Sequence, residues 1–379
     1  MSSGTLAVTY EGILQEARSP SNLWLYNKKW DLTFISLSSL LVFYPIGFYY
    51  FFNVLGFEPQ HVSRNIINGL VTISIGGPHM YSTFTRTFLD KSFSAKHHLF
   101  LASSLLIPLG VIYFGLYYFD YLVTVFFFWA SVHIMHQLAY IVESYNQRST
   151  IAMSFYSRAV DYAVVFSSLY PLASYKLAQF QPDFLGIGNR FQIGKLNILF
   201  PEFAKVPFTF YFTLAVFSIA LVLFIHKTIR EYRQRCVHYP KLLLISLTVV
   251  ISFFIPAFPN LDVSFQGFNA WHSFQYLGLT WYINRLRKEK GILKGEIVEK
   301  ITTFHGWWKF YGFNLICTIA AVGVIALLLV FRTRIGEIVY GPGGELAFDQ
   351  CYYMVVLSFL LMHYFQDHFL FIQRDAMRI

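Results

Sequence analysis

The sequence predicts an all-α integral membrane protein, a polytopic bundle of about 10 transmembrane helices with both termini in the cytoplasm. Three observations predict it. Hydrophobic residues make up 56% of the 379 residues and charged residues only 13%, a balance too apolar for an ordinary soluble domain. Ten stretches approach the roughly 20 mainly apolar residues that a helix needs to cross a bilayer. With those ten spans, 22 of the 29 Lys and Arg fall on the side of both termini and 7 on the other, as the positive-inside rule requires of cytoplasmic termini.

The spans are expected at 32–55, 65–88, 98–119, 120–144, 158–180, 206–226, 240–258, 262–285, 307–331 and 349–372. The first thirty residues carry Glu11, Glu16, Arg18, Lys28 and Lys29 without an apolar run, so the first span reads as a retained signal anchor and not a cleaved leader. Residues 1–31 form a cytoplasmic arm, 32–373 a single transmembrane domain and 374–379 a short tail. The second span is interrupted by Gly76, Gly77 and Pro78, and the third and fourth meet at Phe119 and Asp120. Residues 181–205, rich in Gly and Pro, read as an external loop, and 285–300 as a charged cytoplasmic connection. The expected location is an inner or plasma membrane of the bacterial type.

The net charge of +9 is explained by basic residues in short loops, so it does not point to nucleic acid. Cys236, Cys317 and Cys351 are few and scattered, which gives neither a disulfide framework nor a thiolate metal site.

Six of the twelve histidines lie inside apolar spans: His79, His133, His136, His272, His363 and His368. A polar, titratable side chain at membrane depth is unfavourable unless it is paired, hydrated or bonded to a metal. Six of them, with Glu143 and Asp367 in the same segments, need a common explanation. A shared cation supplies one, because imidazole and carboxylate are its usual ligands. All six fall on even-numbered spans, in the middle or later half of each, so they can meet at one depth in the cytoplasmic half of the membrane.

His133 and His136, followed by Glu143, make the sharpest motif. At about 100° per residue they form one polar stripe on an otherwise apolar helix. In the last span His363 and Asp367 are spaced i,i+4 and face the same way, either as two ligands or as a ligand and the carboxylate that orients it. His368 points about 140° away on a regular helix. Asn269, His272 and Tyr276 share a face of the eighth span, with Gln275 beside them. His79 follows directly on Pro78, whose missing amide and flanking glycines permit a local break, and a broken membrane helix normally lines a cavity or faces protein. Arg86 continues that face inward and could meet a substrate anion or a lipid headgroup. The competing explanations are pore or interhelical hydrogen bonding for His133, His136 and Glu143, hydrogen bonding for His272, an interfacial or interhelical position for His368 and a simple kink at His79. His61, His97, His98, His226, His238 and His305 fall near span ends, where interfacial anchoring accounts for them. Of these, His97 and His98 are also candidates for a site just below the bilayer.

With His133-x-x-His136 and further histidines on distant helices, the chain resembles the histidine-rich integral membrane non-haem iron enzymes: desaturases, hydroxylases, alkane monooxygenases and, more loosely, bacterial carotene-cleaving dioxygenases. The resemblance covers ligand types and their depth. The HxxxH and HxxHH boxes of desaturase-type sequences are absent, so it is one of class and not of family. It implies one or two iron ions activating dioxygen beside a hydrophobic, lipid-like substrate, with membrane lipids around the protein and a separate electron donor or the substrate supplying electrons. His133, His136, His272 and His363 are the preferred ligands, then His79, Glu143 and Asp367. Tyr140, one turn beyond His136, is a candidate donor at the edge of the site. The same residues would suit a zinc hydrolase of lipid amides or esters, haem ligation between facing helices, or a pathway for metal ions or protons.

Overall fold

The computed structural model describes residues 23–56, 60–149, 153–177, 205–258, 261–303 and 306–372, and among them every regular element is helical. A helical run from Lys28 passes through a π turn at Asp31–Ser36 and a 3-10 segment at Leu37–Val42 into α1 (Phe43–Val54). Next come α2 (Gln60–Val71), α3 (Gly77–Ser82), α4 (Lys91–Lys96), α5 (His98–Ser104), α6 (Leu106–Tyr117) and α7 (Phe119–Gln147). They are followed by α8 (Phe155–Ser167), α9 (Tyr170–Leu177), α10 (Pro207–Arg233), α11 (Tyr239–Phe254) and α12 (Leu261–Glu289). The chain ends with α13 (Glu296–Ile301), α14 (Trp307–Val330), α15 (Arg332–Tyr340) and α16 (Phe348–Ile372).

Seven helical segments are long and apolar enough to cross a membrane: Lys28–Phe52, His98–Tyr117, Phe119–Gln147, Pro207–Arg233, Tyr239–Ala257, Trp307–Val330 and Phe348–Ile372. Each falls on a span expected from the sequence. The other three expected spans are helical as well, as α2 with α3, α8 with α9, and α12. Their polarity has a visible cause in α12, where His272, Ser273, Gln275, Thr280 and Asn284 are buried among neighbouring helices. Such a helix need not be apolar on every side, because other helices stand where lipid would be. The peripheral helices are the reverse. Leu106 and Leu109 of α6, Ile219 and Val222 of α10, and Ile316 and Leu327 of α14 are exposed, as a lipid-facing surface requires.

The expected junction between the third and fourth spans is a sharp one, with Tyr118 leaving helical geometry between α6 and α7. The expected break before His79 is instead a π turn, Thr72–Gly76, that carries the helix on into α3. The Tyr311 hydroxyl donates to the Ser74 carbonyl at 2.6 Å, the carbonyl that an amide at position 78 would have reached. Gly77 lets α14 approach closely, since a Cβ there would lie 2.2 Å from Thr318 Cγ2.

Part of the expected N-terminal arm is packed. The carboxylate of buried Asp31 accepts from the amides of Leu25 and Tyr26 at 2.7 and 3.1 Å and from the Tyr145 hydroxyl at 2.8 Å. Where α7, α8, α10 and α11 come together, Asp161 is buried between two lysines. It pairs with Lys227 and, at 2.8 Å, with Lys241, which also donates to Asn146 Oδ1 at 2.9 Å. Residues 1–22 of the arm, most of the loop 181–205, and the tail 374–379 lie outside the described residues.

Candidate metal centre

The polar core sits where α3, α7, α12 and α16 meet. These four helices run in the same direction. Thr72, before α3, bonds Tyr352 near the start of α16, while beyond α3 Thr87 bonds Gln366 near its end. Phe126 of α7 packs edge-on against Phe265 of α12, seven residues before His133 and His272 respectively. Each helix therefore presents its histidine at the same level.

His79, His133, His272 and His363 converge there, all buried, with one donor atom from each within 4.8 Å of every other. Their rings form a closed circuit of edge-to-face neighbours. Centroids are 4.8 Å apart for His79 and His272, 4.9 Å for His272 and His133, 5.0 Å for His133 and His363, and 4.3 Å for His363 and His79. Successive planes cross at 79°, 80°, 70° and 83°. No carboxylate or thiolate belongs to this group.

Hydrogen bonds around the circuit determine which nitrogens are free to bind a cation. The Gly76 carbonyl lies 3.0 Å from His79 Nδ1. A carbonyl can only accept, so His79 carries its proton on Nδ1 and keeps a lone pair on Nε2. His363 is held similarly. Thr83 Oγ1 donates to Asp367 Oδ1 at 3.0 Å, and Tyr276 donates to the same oxygen at 2.5 Å. With its only proton used, Thr83 accepts from His363 Nδ1 at 2.5 Å. His363 Nε2 is thereby left with a lone pair, and both it and His133 Nε2 are buried with no hydrogen-bond partner among the described residues. His79 Nε2 and His272 Nε2 face each other at 3.1 Å. Imidazoles turned by outer hydrogen bonds so that lone pairs point inward are how a protein prepares a metal site. The donor set fits a cation that accepts neutral nitrogen ligands.

The remaining candidates stand around this centre in other roles. Asp367 is fully buried but reaches His363 through Thr83, with its Oδ2 3.6 Å from His363 Nδ1, so it occupies the orienting position of the two expected for it. Glu143 is not in the group. It accepts from Arg158 Nη2 at 2.7 Å, from the Tyr162 hydroxyl at 2.5 Å and from Asn146 Nδ2 at 3.2 Å. The stripe shared with His133 is real, but ten residues along a helix axis is about 15 Å, too far to share a cation. His136 and His368 pack against each other at 4.9 Å with their planes crossing at 59°, with His136 also against Phe371 at 5.2 Å, outside the four. The i,i+3 offset turns His136 about 60° from His133, enough to swing it out of the circuit. Tyr140 stacks on Phe371 at 5.0 Å. Arg86 is fully buried and within electrostatic reach of Asp367, Tyr276 and Tyr140.

His97 packs against Phe93 and Phe369. Partial burial and neighbouring Lys96 hold it below the ordinary imidazole range. His238 caps α11, accepting from the Lys241 amide at 3.3 Å. His305 lies outside the described residues. The sequence reading missed Thr83, whose signal is its i+4 spacing from His79, and Tyr364, which stacks on His133 at 4.1 Å. No protein-family model matches the chain, and neither a curated protein nor a solved structure matches it.

Proposed function

We propose that the protein is a membrane-embedded non-haem iron oxidoreductase whose four histidines hold a single ion beside a hydrophobic substrate, in a bundle of ten spans with both termini in the cytoplasm. The topology is supported by the parallel run of α3, α7, α12 and α16. Among the described residues three helical passages lie between α7 and α12, and one between each of the other neighbouring pairs, the odd numbers that parallel membrane crossings need.

The observation that carries the reading is the ligand set of four imidazoles with no carboxylate. Catalytic zinc sites keep three protein ligands and leave the fourth position for water, so four histidines would close a tetrahedral zinc. Of the metals that imidazole suits, iron and copper carry dioxygen chemistry, and iron, which accepts six ligands, would keep two positions for small molecules beside four histidines. The hydrolase reading also places its base poorly: among the described residues Asp367 stands behind His363, with Oδ1 held by Thr83 and Tyr276 and Oδ2 3.6 Å from His363 Nδ1, the nitrogen opposite the one that faces the centre.

When bound, iron would supply the oxidising chemistry, and the chain's own residues do the rest. Gly76 and Thr83 fix two of the imidazoles, Asp367 holds Thr83 in place behind His363, and the surrounding helices exclude water. Electrons come from a separate donor or from the substrate itself.

Metal analysis of detergent-purified protein by inductively coupled plasma mass spectrometry tests this. About one iron per chain with no Soret absorption is the expected result. Zinc in its place would make the centre structural, and a folded protein without metal would sink the reading.

A further inference from the structure

A narrow cleft lies on the N-terminal side of the histidine circuit, and its walls keep register with the four ligands. Thr72, Phe126, Phe265 and Val356 line it. They stand seven residues before His79, His133, His272 and His363 respectively. Seven residues rise about 10 Å along a helix, so these four form one tier above the centre. Gly76, Asn269 and Leu360, three residues before His79, His272 and His363, line the inner end of the same cleft. There it is bounded by Tyr364, the ring stacked on His133. The cleft thus runs from the outer tier to about one helical turn from the imidazoles, with Tyr364 between its inner end and His133.

Its lining is mainly apolar along that path, with Phe126, Phe265, Val356, Leu357, Leu360 and Met80, and polar groups stand among them: Asn269 at the inner end, Gln266 midway, Asn68 and Tyr352 at the outer end. Thr72 and Tyr352 bond each other at 2.8 Å, and Asn269 donates to Gln266 at 3.1 Å. Asn68 Oδ1 is buried with no hydrogen-bond partner among the described residues. A buried acceptor left without a donor is costly, so it favours a ligand that brings an O–H or N–H. Among the described residues no charged side chain lines the cleft, and a carboxylate or ammonium head would have no opposite charge there. The free space is only about 40 Å³, suited to a chain in single file and not to fused rings.

We propose that this cleft is the substrate passage of the metal centre, taking an unbranched apolar chain with a hydroxyl at its outer end, hydrogen-bonded to Asn68. The far end of a medium-length chain then lies about one helical turn from the histidines. The assignment rests on the reading of the centre as an oxidising metal site.

The test is photolabelling of the metal-loaded protein in detergent with a medium-chain alkan-1-ol carrying a diazirine near its methyl end, the labelled peptides being mapped by mass spectrometry. Label is expected at Met80 and Leu360. An unlabelled alkan-1-ol of the same length should displace it, and the carboxylate of that length should not. Val356→Trp, which fills the outer tier, should lower labelling at least tenfold, and Asn68→Leu should weaken displacement by the alcohol several-fold, both with bound metal per chain unchanged. Labelling elsewhere, equal displacement by the carboxylate, or undiminished labelling in both variants would overturn the proposal. Metal content is read separately on the same samples. Protein that labels in the cleft but holds no iron overturns the oxidoreductase reading alone, and protein that holds iron but does not label in the cleft overturns the passage alone.

Discussion

The Nε2 atoms of His79 and His272 face each other 3.1 Å apart across the contact between α3 and α12. Because the Gly76 carbonyl holds the proton of His79 on Nδ1, His79 presents a lone pair, and His272 must meet it with an N–H or share a cation with it. His133 Nε2 and His363 Nε2, buried close by with no partner among the described residues, cannot both be served by that single proton. One cation would serve all four.

Replacing any one of His79, His133, His272 and His363 with Ala should therefore weaken metal binding by more than the roughly 10–100-fold typical of an outer-shell partner. His136→Ala and His368→Ala should leave it within about twofold, as their rings pack against each other outside the circuit. Metal content measured against chelator concentration for the six variants checks this. Equal losses in all six would mean that the site is larger than four histidines.

Much of this arrangement was legible in the sequence, for stated reasons. Buried histidines in apolar spans are costly enough to need a common partner, and their placement on same-direction spans put them at one level, which is how His79, His133, His272 and His363 meet. A face argument fixes azimuth but not position along the axis. Hence Glu143, on the stripe of His133 and His136, turned out to belong to Arg158 and Tyr162 about 15 Å further along. Nor does i,i+3 spacing say which of two histidines a helix turns inward, since the rotation of α7 is set by neighbours such as Tyr364 and Phe371. Apolarity found seven of the spans. The polar α12 was found by the same count only because its polar residues are interleaved with Phe, Trp and Leu.

Asp161 should matter to stability and not to the metal. It is fully buried between Lys227 and Lys241, whose side chains are only 5% and 3% exposed. Asp161→Ala leaves Lys241 with only Asn146 Oδ1 and Lys227 with only Glu231, 3.4 Å away, and should cost about 3–5 kcal/mol, read as a lowered unfolding temperature in detergent. The charge-free triple variant Lys227→Met, Asp161→Leu, Lys241→Met should recover most of that loss, because removing a whole buried ion cluster is far cheaper than breaking it. Bound metal per folded chain should stay constant throughout. A loss of metal from correctly folded Asp161→Ala would tie this cluster to the centre.

Thr83 is the side chain through which Asp367 acts on the site. Its hydroxyl accepts from His363 Nδ1 at 2.5 Å and donates to Asp367 Oδ1 at 3.0 Å, so it sets both the tautomer and the tilt of one imidazole. Thr83→Val keeps the shape and removes that relay, leaving Asp367 Oδ2, 3.6 Å away, as the nearest acceptor. Metal affinity should fall about 10–100-fold, and Thr83→Ser should restore it, since only the hydroxyl is required. A purely structural role would give the opposite ordering, with Val tolerated for its shape and Ser penalised for the lost methyl. Competition titrations against a chelator distinguish the two, and a Val variant within twofold of the parent would show that His363 is oriented by packing alone.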